Sequence, residues 1–494
     1  MSAFVTYPMR FHAPWRLDTT DSDIVAHLAV SGVTDPGCSK SRVNQDTFFA
    51  YGDAPHAAVV LGVFDGHGKE CGRDVALAAR NYFESRFQSF TREDYDALAQ
   101  QPQQTFSDMF AACHDAIKGV VRALYERRGF TVKEQNGYLV KAMSSNATAS
   151  ASFTCVRGGT TATIVVILDA GRRVFVANVG DSCAMIDTKA PILKLTDLIA
   201  HDENRELLRS HDDTGLDIKD KSKASKTTDM LVLTGEHSPD NESEFLRARE
   251  FRRCSFNREM PALRFLFDAC DPRSKRTQMY HFGSDGDLRR KREGDYLKNV
   301  RDEWATVVAT PDECVYPDAL AFTRSLGDFH MHTFGVSCEP SVREISLEKI
   351  VRRRMLRQQS GDEEMQTIDN NNGEEDDDDD AATSTDSGNN NNDTEEANKS
   401  LVEFMLVVAS DGVWDTWKYD ELFRFIHKNG DKEAQVKRNE DVASAAETMY
   451  PIDKAVAALL AANLKRARRI FGDDADNMTA VLCHFQMHLA PPAS

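Results

Sequence analysis

Four apolar runs in this chain begin or end on an acidic turn. They are "AAVVLGVFDGHG" (57–68), "RVFVANVGDS" (173–182), "EFMLVVASDGVWD" (403–415) and "DDADNMTAVLCHF" (473–485). In the first, Val59, Val60, Leu61, Val63 and Phe64 form an unbroken apolar stretch, which reads as a buried strand stopped by a glycine turn. Taken alone, Asp65-Gly66 is an ordinary hairpin corner, because Asp-Gly is a favoured turn dipeptide. Repetition changes the meaning. Asp65, Asp181, Asp411 and Asp476 would crowd charge at strand ends, and a buried carboxylate is costly unless something neutralises it.

Helical periodicity separates these strands into blocks. In "KECGRDVALAARNYFESRF", Val75, Ala78, Ala79, Tyr82 and Phe83 recur at helix spacing, and "TFSDMFAACHDAIKGVVRALYERR" is a second amphipathic helix. "LVLTGEHSPDNESEFLRARE" (231–250) reads as a strand edge, a turn and a helix start, and "DKAVAALLAANLKRARRIF" as a late helix. Residues 130–157 read as a polar loop, and 251–315 as mixed sequence. Clustered strands with clustered helices indicate α+β layers and not a regular βαβ repeat.

Composition removes several function classes. The chain has 494 residues and a net charge of −19, but residues 361–398 alone hold 15 Asp/Glu and no Lys/Arg, so the remainder carries only −4. That balance gives no reason to expect a nucleic-acid partner or an anionic membrane surface. The acidic, Asn-rich tract has too little apolar surface to order itself. No apolar run reaches membrane-spanning length, and no secretory signal is evident at the N-terminus. Ten cysteines with no C-x-x-C pair fit reduced thiols in a cytoplasmic or nuclear compartment. "RRKR" (289–292) and "KRARR" (465–469) read as solvated helix faces before import signals. The segment from Gly62 to Lys69 is not a nucleotide phosphate loop: its spacing is one residue too long, and Glu70 replaces the Ser/Thr.

The residue types present suit phosphate chemistry. Asp65, Asp411 and Asp476 offer the hard oxygens that Mg²⁺ and Mn²⁺ take. A histidine can return a proton to a leaving alkoxide, and an arginine can grip phosphate bidentately. Spacing alone does not make them converge. The order of motifs adds a resemblance: "RVNQD", "VFDGHG", "GTTA", "ANVGDS", "LTGEHSP…E..R", "TRSLGD", "GVSCEP", "ASDGVWD" and "DN" follow one another from about residue 30 to 485. Together they resemble the metal-dependent protein serine/threonine phosphatases of type 2C.

The resemblance implies a four-layer α/β-β/α sandwich of two antiparallel sheets flanked by helices. The domain would span 30–488, with insertions at about 187–230, 251–315 and 350–400, an N-terminal extension 1–29 and a tail 489–494. It further implies two Mg²⁺ or Mn²⁺ ions, with a possible third, and direct attack of metal-bridged water on phosphoserine or phosphothreonine in phosphoprotein substrates. By position, Asp65 and the Gly66 carbonyl would bind metal, with Asp411 and Asp476 completing the second ion. His67 would be the general acid, Arg42 would hold phosphate and Asp46 would orient water. Gln45 and Asn477 would support the site, and Asp181 and Asp415 would hold the third ion. Three positions depart from the common pattern: Gln45 replaces an acid, Lys69 a glycine and Cys183 an arginine. Cys71 and Cys183 read as inert small residues. The alternatives are a pseudophosphatase scaffold that keeps the fold without turnover, and a phosphatase for small phosphorylated metabolites.

Overall fold

The computed structural model describes residues 13–15, 24–38, 43–143, 153–188, 199–202, 230–251, 260–271, 273–352, 402–440 and 452–489. Within these, two six-stranded antiparallel sheets face each other. The first runs, in spatial order, Ala13–Trp15, Ile24–Asp35, Met478–Leu489, Val402–Ala409, Cys183–Asp187, Met230–Val232. The second runs Ile199–Asp202, Ser341–Ser346, Arg173–Val179, Ala162–Leu168, Ala58–Phe64, Thr47–Asp53.

The unbroken apolar runs are explained by burial on both faces. Along Ala58–Phe64, Val59, Leu61 and Val63 enter the core between the sheets, packing with Val165, Val176, Leu406 and Phe485. Ala58, Val60 and Phe64 point the other way, into a core built with Phe83, Phe87 and Phe110 from the helices Gly72–Gln88 and Pro102–Arg127. Val402–Ala409 repeats the arrangement. Phe404, Leu406 and Val408 face the sheet interface, while Met405 and Val407 face the helices Tyr419–Glu440 and Ile452–Phe471 through Trp417, Leu422 and Leu459. Each such valine or leucine contributes about 1.5–3 kcal/mol. The four layers expected from the resemblance are therefore the observed architecture.

Three local expectations need correction. The described part of 130–157 is not a loop: Phe130–Gln135 and Tyr138–Met143 form an antiparallel hairpin joined by Asn136 and Gly137, both at positive φ, and Thr154–Cys155 pairs on its edge. The "NG" turn was its signal, since a two-residue hairpin loop needs φ > 0 at both positions. Much of 251–315 forms a separate packed unit, in which Arg264–Phe267 and Thr306–Ala309 pair above the helix Glu242–Glu250 around Phe245, Phe265 and Tyr280. The "RRKR" segment begins on a hairpin strand, Leu288–Arg290, where Arg289 pairs with Asp285 and Arg290 with Asp240, so it is no helix face. "KRARR" does lie on a helix, with Arg466 stacked 3.8 Å from the Trp417 ring and paired to Glu421. The tract 361–398 and most of 187–230 fall outside the described residues.

Candidate active site

The two sheets deliver their acidic turns to the same end of the sandwich. Asp65 follows the last residue of Ala58–Phe64, and its backbone is fixed from both sides by the "GTTA" motif. The Asp65 N–H donates to Thr161 Oγ1 at 3.0 Å, while the Thr161 N–H and Thr160 Oγ1 donate to the Asp65 carbonyl at 2.9 and 3.0 Å. Gly66 is a required glycine, because a Cβ there would stand 2.6 Å from the Gly72 carbonyl and 2.7 Å from that of Gln45.

From the facing sheet, Asp411 opens the short helix Asp411–Trp414 directly after Val402–Ala409 and Ser410. Asp476 precedes Met478–Leu489. A Cβ on Gly412 would overlap the Asn477 carbonyl, so the two turns touch backbone to backbone. Ser410 then ties Asp46 to this pair: its hydroxyl donates to Asp46 Oδ2 at 2.8 Å and accepts from the Thr479 N–H at 2.9 Å.

Burial and crowding shift the pKa values of these carboxylates upward. Burial, then the charges of Asp46, Asp411, Asp476 and Asp181, push Asp65 well above the usual carboxylate range. Asp411 is raised likewise by burial and then by Asp181, Asp415 and Asp476. Asp46 is pushed up to about 7, mainly by burial, with Asp476 adding repulsion and Ser410 opposing it. Asp46 Oδ1 is buried and has no hydrogen-bond partner. A cluster of this kind, with an orphaned oxygen and only oxygen donors, fits hard divalent cations. The acidic oxygens are spread wider than one ion's shell: among the described residues, the set of three His, Cys, Asp or Glu ligand atoms within 4.8 Å of one another is His114, His332 and Cys338, elsewhere in the fold.

His67 sits beside the cluster. Its Nε2 is 2.7 Å from Asp328 Oδ2, and its ring stands edge-on to Phe322 at 5.0 Å. Burial by itself lowers this imidazole's pKa, but the charge and hydrogen bond of Asp328 outweigh it and raise the value. Nδ1 is buried without a partner, which leaves it as the atom able to hand over a proton. Asp328 is itself fixed by Ser325 Oγ at 2.8 Å on a turn where Gly327 and Asp328 have φ of 83° and 44°. The "TRSLGD" motif carries this residue, but the motif alone does not reveal its bond to His67.

The supporting residues are arranged around the backbone. Gln45 does not face the carboxylates as an acid would; its Nε2 donates to the Gly68 carbonyl at 2.8 Å. Asn477 Oδ1 accepts the Gln45 N–H at 2.8 Å and its Nδ2 donates to the Pro36 carbonyl at 2.8 Å, stitching the two sheets together. Asp181 and Asp415 lie toward the packed unit formed by part of 251–315. There a loop closed by the Leu297–Trp304 bridge presents Lys298, Asn299, Arg301 and Glu303. Asn299 Nδ2 donates to Asp415 Oδ1 at 3.0 Å, and Arg301 lies 3.6 Å from the same oxygen. Lys298 lowers the pKa of both Asp181 and Asp415, although burial still leaves them raised. Protein cations thus already serve the acids expected to hold a third ion. Arg42 lies outside the described residues. Cys71 and Cys183 are pushed up to about 12 and about 11 by burial, as inert thiols should be.

Residues 50–209 match the family model described as protein phosphatase 2C. No curated protein sequence matches the chain. Among solved structures, the chain is similar to a serine-threonine phosphatase 2C from Toxoplasma gondii, with 14% identity, a TM-score of 0.44, and coverage of 97% of this chain and 100% of that one. It is also similar to a C. elegans sex determining protein, with 14% identity, a TM-score of 0.42, and coverage of 92% of this chain and 64% of the other. Among the described residues no helix is long and apolar enough to cross a membrane. The match over residues 50–209 lies on strands that carry Asp65 and Asp181 to the seam of a four-layer sandwich, so this part of the chain is similar to protein phosphatase 2C.

Proposed function

We propose that this chain is a phosphatase that hydrolyses phosphoserine and phosphothreonine in proteins, and that it needs Mg²⁺ or Mn²⁺ to do so. The observation that carries the reading is the set of buried carboxylates, Asp65, Asp46 and Asp411, raised above their usual range with no cation from the described residues among the main causes. Asp65, the Gly66 carbonyl, Asp411 and Asp476 would hold two ions, a number that suits their spread better than one. Bound there, the ions would supply Lewis-acid stabilisation and a water of lowered pKa.

The chain's own groups do the rest. Asp46, fixed through Ser410, orients a water by the oxygen it keeps unpaired. His67, its pKa raised by the Asp328 charge and hydrogen bond against the lowering by burial, would pass the Nδ1 proton to the departing serine or threonine oxygen. Arg42 would hold the phosphate, a role that rests on the family resemblance alone. Asn299 and Arg301 occupy one oxygen of Asp415, which favours two ions over three.

The test is phosphate release from a phosphothreonine peptide with EDTA, Mg²⁺ or Mn²⁺. Release restored only by the divalent ions supports the proposal, and release unchanged by exhaustive chelation refutes it. His67→Ala should lower turnover more on a phosphoserine peptide than on p-nitrophenyl phosphate, whose leaving group needs no proton. Equal losses, with chemistry rate-limiting, would remove His67 from the proton transfer.

A further inference from the structure

Behind the turn that carries Asp328, three residues that the phosphatase chemistry does not use meet at one point. His114 comes from the helix Pro102–Arg127, His332 ends the short helix Phe329–His332, and Cys338 lies in the "GVSCEP" segment that follows. One ligand atom from each lies within 4.8 Å of the others, and all three residues are half-buried. The two imidazole rings are 4.3 Å apart.

We propose that His114, His332 and Cys338 form a binding site for a borderline-soft divalent ion, Zn²⁺, separate from the carboxylate cluster. Two nitrogens and one sulfur are a donor set that zinc takes, and three protein ligands leave a fourth position for solvent. A tetrahedral ion needs these atoms about 3.3–3.7 Å apart, given ordinary Zn–N and Zn–S lengths, so closure asks for a shift of about 1 Å. Cys338, on a loop, can supply it.

Independent features point to a ligand. His332 Nε2 is buried and has no partner. The Ser325 backbone lies beside the same ring, where a metal-bound imidazole commonly finds a partner for its second nitrogen. His114 Nδ1 receives the Gly327 N–H across a long 3.3 Å, so that nitrogen is unprotonated and its lone pair is weakly held. Burial keeps both rings neutral, with His114 pulled down to about 4 and His332 well below its usual value, so neither must lose a proton to bind. Cys338, raised to about 11 by burial, must release its proton on binding. Asp115 and Lys118, near His114, offset one another's charge.

The site would adjoin the catalytic histidine's support. Gly327, which contacts His114, precedes Asp328, which holds His67. An ion that takes the His114 lone pair therefore competes with the turn that positions Asp328.

Cobalt titration of the reduced full chain, with Mg²⁺ in excess to fill the carboxylates, tests the proposal. The expected result is a thiolate-to-cobalt charge-transfer absorption that saturates at one equivalent and disappears when Zn²⁺ is added. It should be lost in Cys338→Ser and weakened in His332→Gln. The carboxylate cluster has no sulfur and cannot give this band. X-ray absorption of the zinc-loaded wild-type chain should report one sulfur and two imidazoles, a reading that does not depend on either variant folding. No thiolate band in the wild type, a band unchanged in Cys338→Ser, or a zinc shell without sulfur would overturn the assignment.

Discussion

Two groups of buried carboxylates in this molecule have opposite fates. At the sheet seam, Asp65, Asp46 and Asp411 face one another with no arginine or lysine of the described residues among the main influences on them, and burial raises them all. Below the "TRSLGD" turn, Glu244 is equally buried, yet its pKa is driven far below the usual range. Burial would raise it, but the charges of Arg324 and Arg247 prevail. Arg324 donates to it three times, at 2.6, 3.0 and 3.2 Å, and Thr323 Oγ1 donates at 2.5 Å. Burial is common to both places. What differs is whether the fold brings its own cation. Where it does, the pair is architecture; where it does not, the deficit is an opening for an ion from solution.

The comparison can be broken most severely at the seam. Asp65→Ala should cut turnover by about 10³–10⁴-fold, several kcal/mol of transition-state stabilisation, with the fold intact by circular dichroism. Near-normal turnover in the purified variant would mean that the seam acids are not the site. At the paired acid the loss should appear in stability instead. Arg324→Met strands Glu244 with Arg247 alone and should cost about 3–5 kcal/mol in urea unfolding. Adding Glu244→Gln should recover part of that cost; if the double variant is no better, Arg324 acts through packing and the contrast fails.

Adding Mn²⁺ at 100-fold over its dissociation constant should stabilise the wild type by about 2.7 kcal/mol, with most of that gain absent in Asp411→Asn. In metal-free buffer Asp411→Asn should be the more stable chain, by about 1 kcal/mol, because it removes a repelling charge. A thermal shift measured with and without the ion reads both signs. A further effect lies in pH. His237 is buried and held neutral, down to about 3, chiefly by burial and the Arg324 charge. Its folded value lies below its unfolded one, so its stability is present above about pH 6.5 and is lost as pH falls, by up to about 2 kcal/mol between 6.5 and 5. Asp46 carries the opposite sign: its folded value of about 7 lies above its unfolded one, so without metal it destabilises as pH rises from about 4 through 7. Chemical unfolding at pH 5, 6.5 and 8, with EDTA and with Mn²⁺, separates the two, since only the Asp46 part should vanish with the ion.

What could be read beforehand followed from the same physics. Strands buried on both faces announce themselves as unbroken valine and leucine runs, and the Asp-Gly ends mark where they stop. The "NG" of residues 136 and 137 was equally legible, and reading its surroundings as a loop overlooked a turn rule. The contact of Asn299 and Arg301 with Asp415 was not legible: it joins residues more than a hundred positions apart through an irregular loop, where no periodicity exists to read. Asp328 lay between the two cases. Its motif was visible, but its bond to His67 spans 261 positions and only the folded chain reveals it.

The seam also has a mechanical side. Asp65 belongs to one sheet, Asp411 and Asp476 to the other, so mutual repulsion acts as a spring that pushes the sheet ends apart. The strands are held against it by the interior between the sheets and by a few rivets that cross the gap, such as the Gln45 N–H on Asn477 and the Ser410 hydroxyl on Asp46. A spring loaded in this way relaxes when positive charge enters and tightens when it leaves. The mouth of the sandwich is therefore the end whose repulsion depends on ionic load, whereas the apolar interior between the sheets carries no such charge.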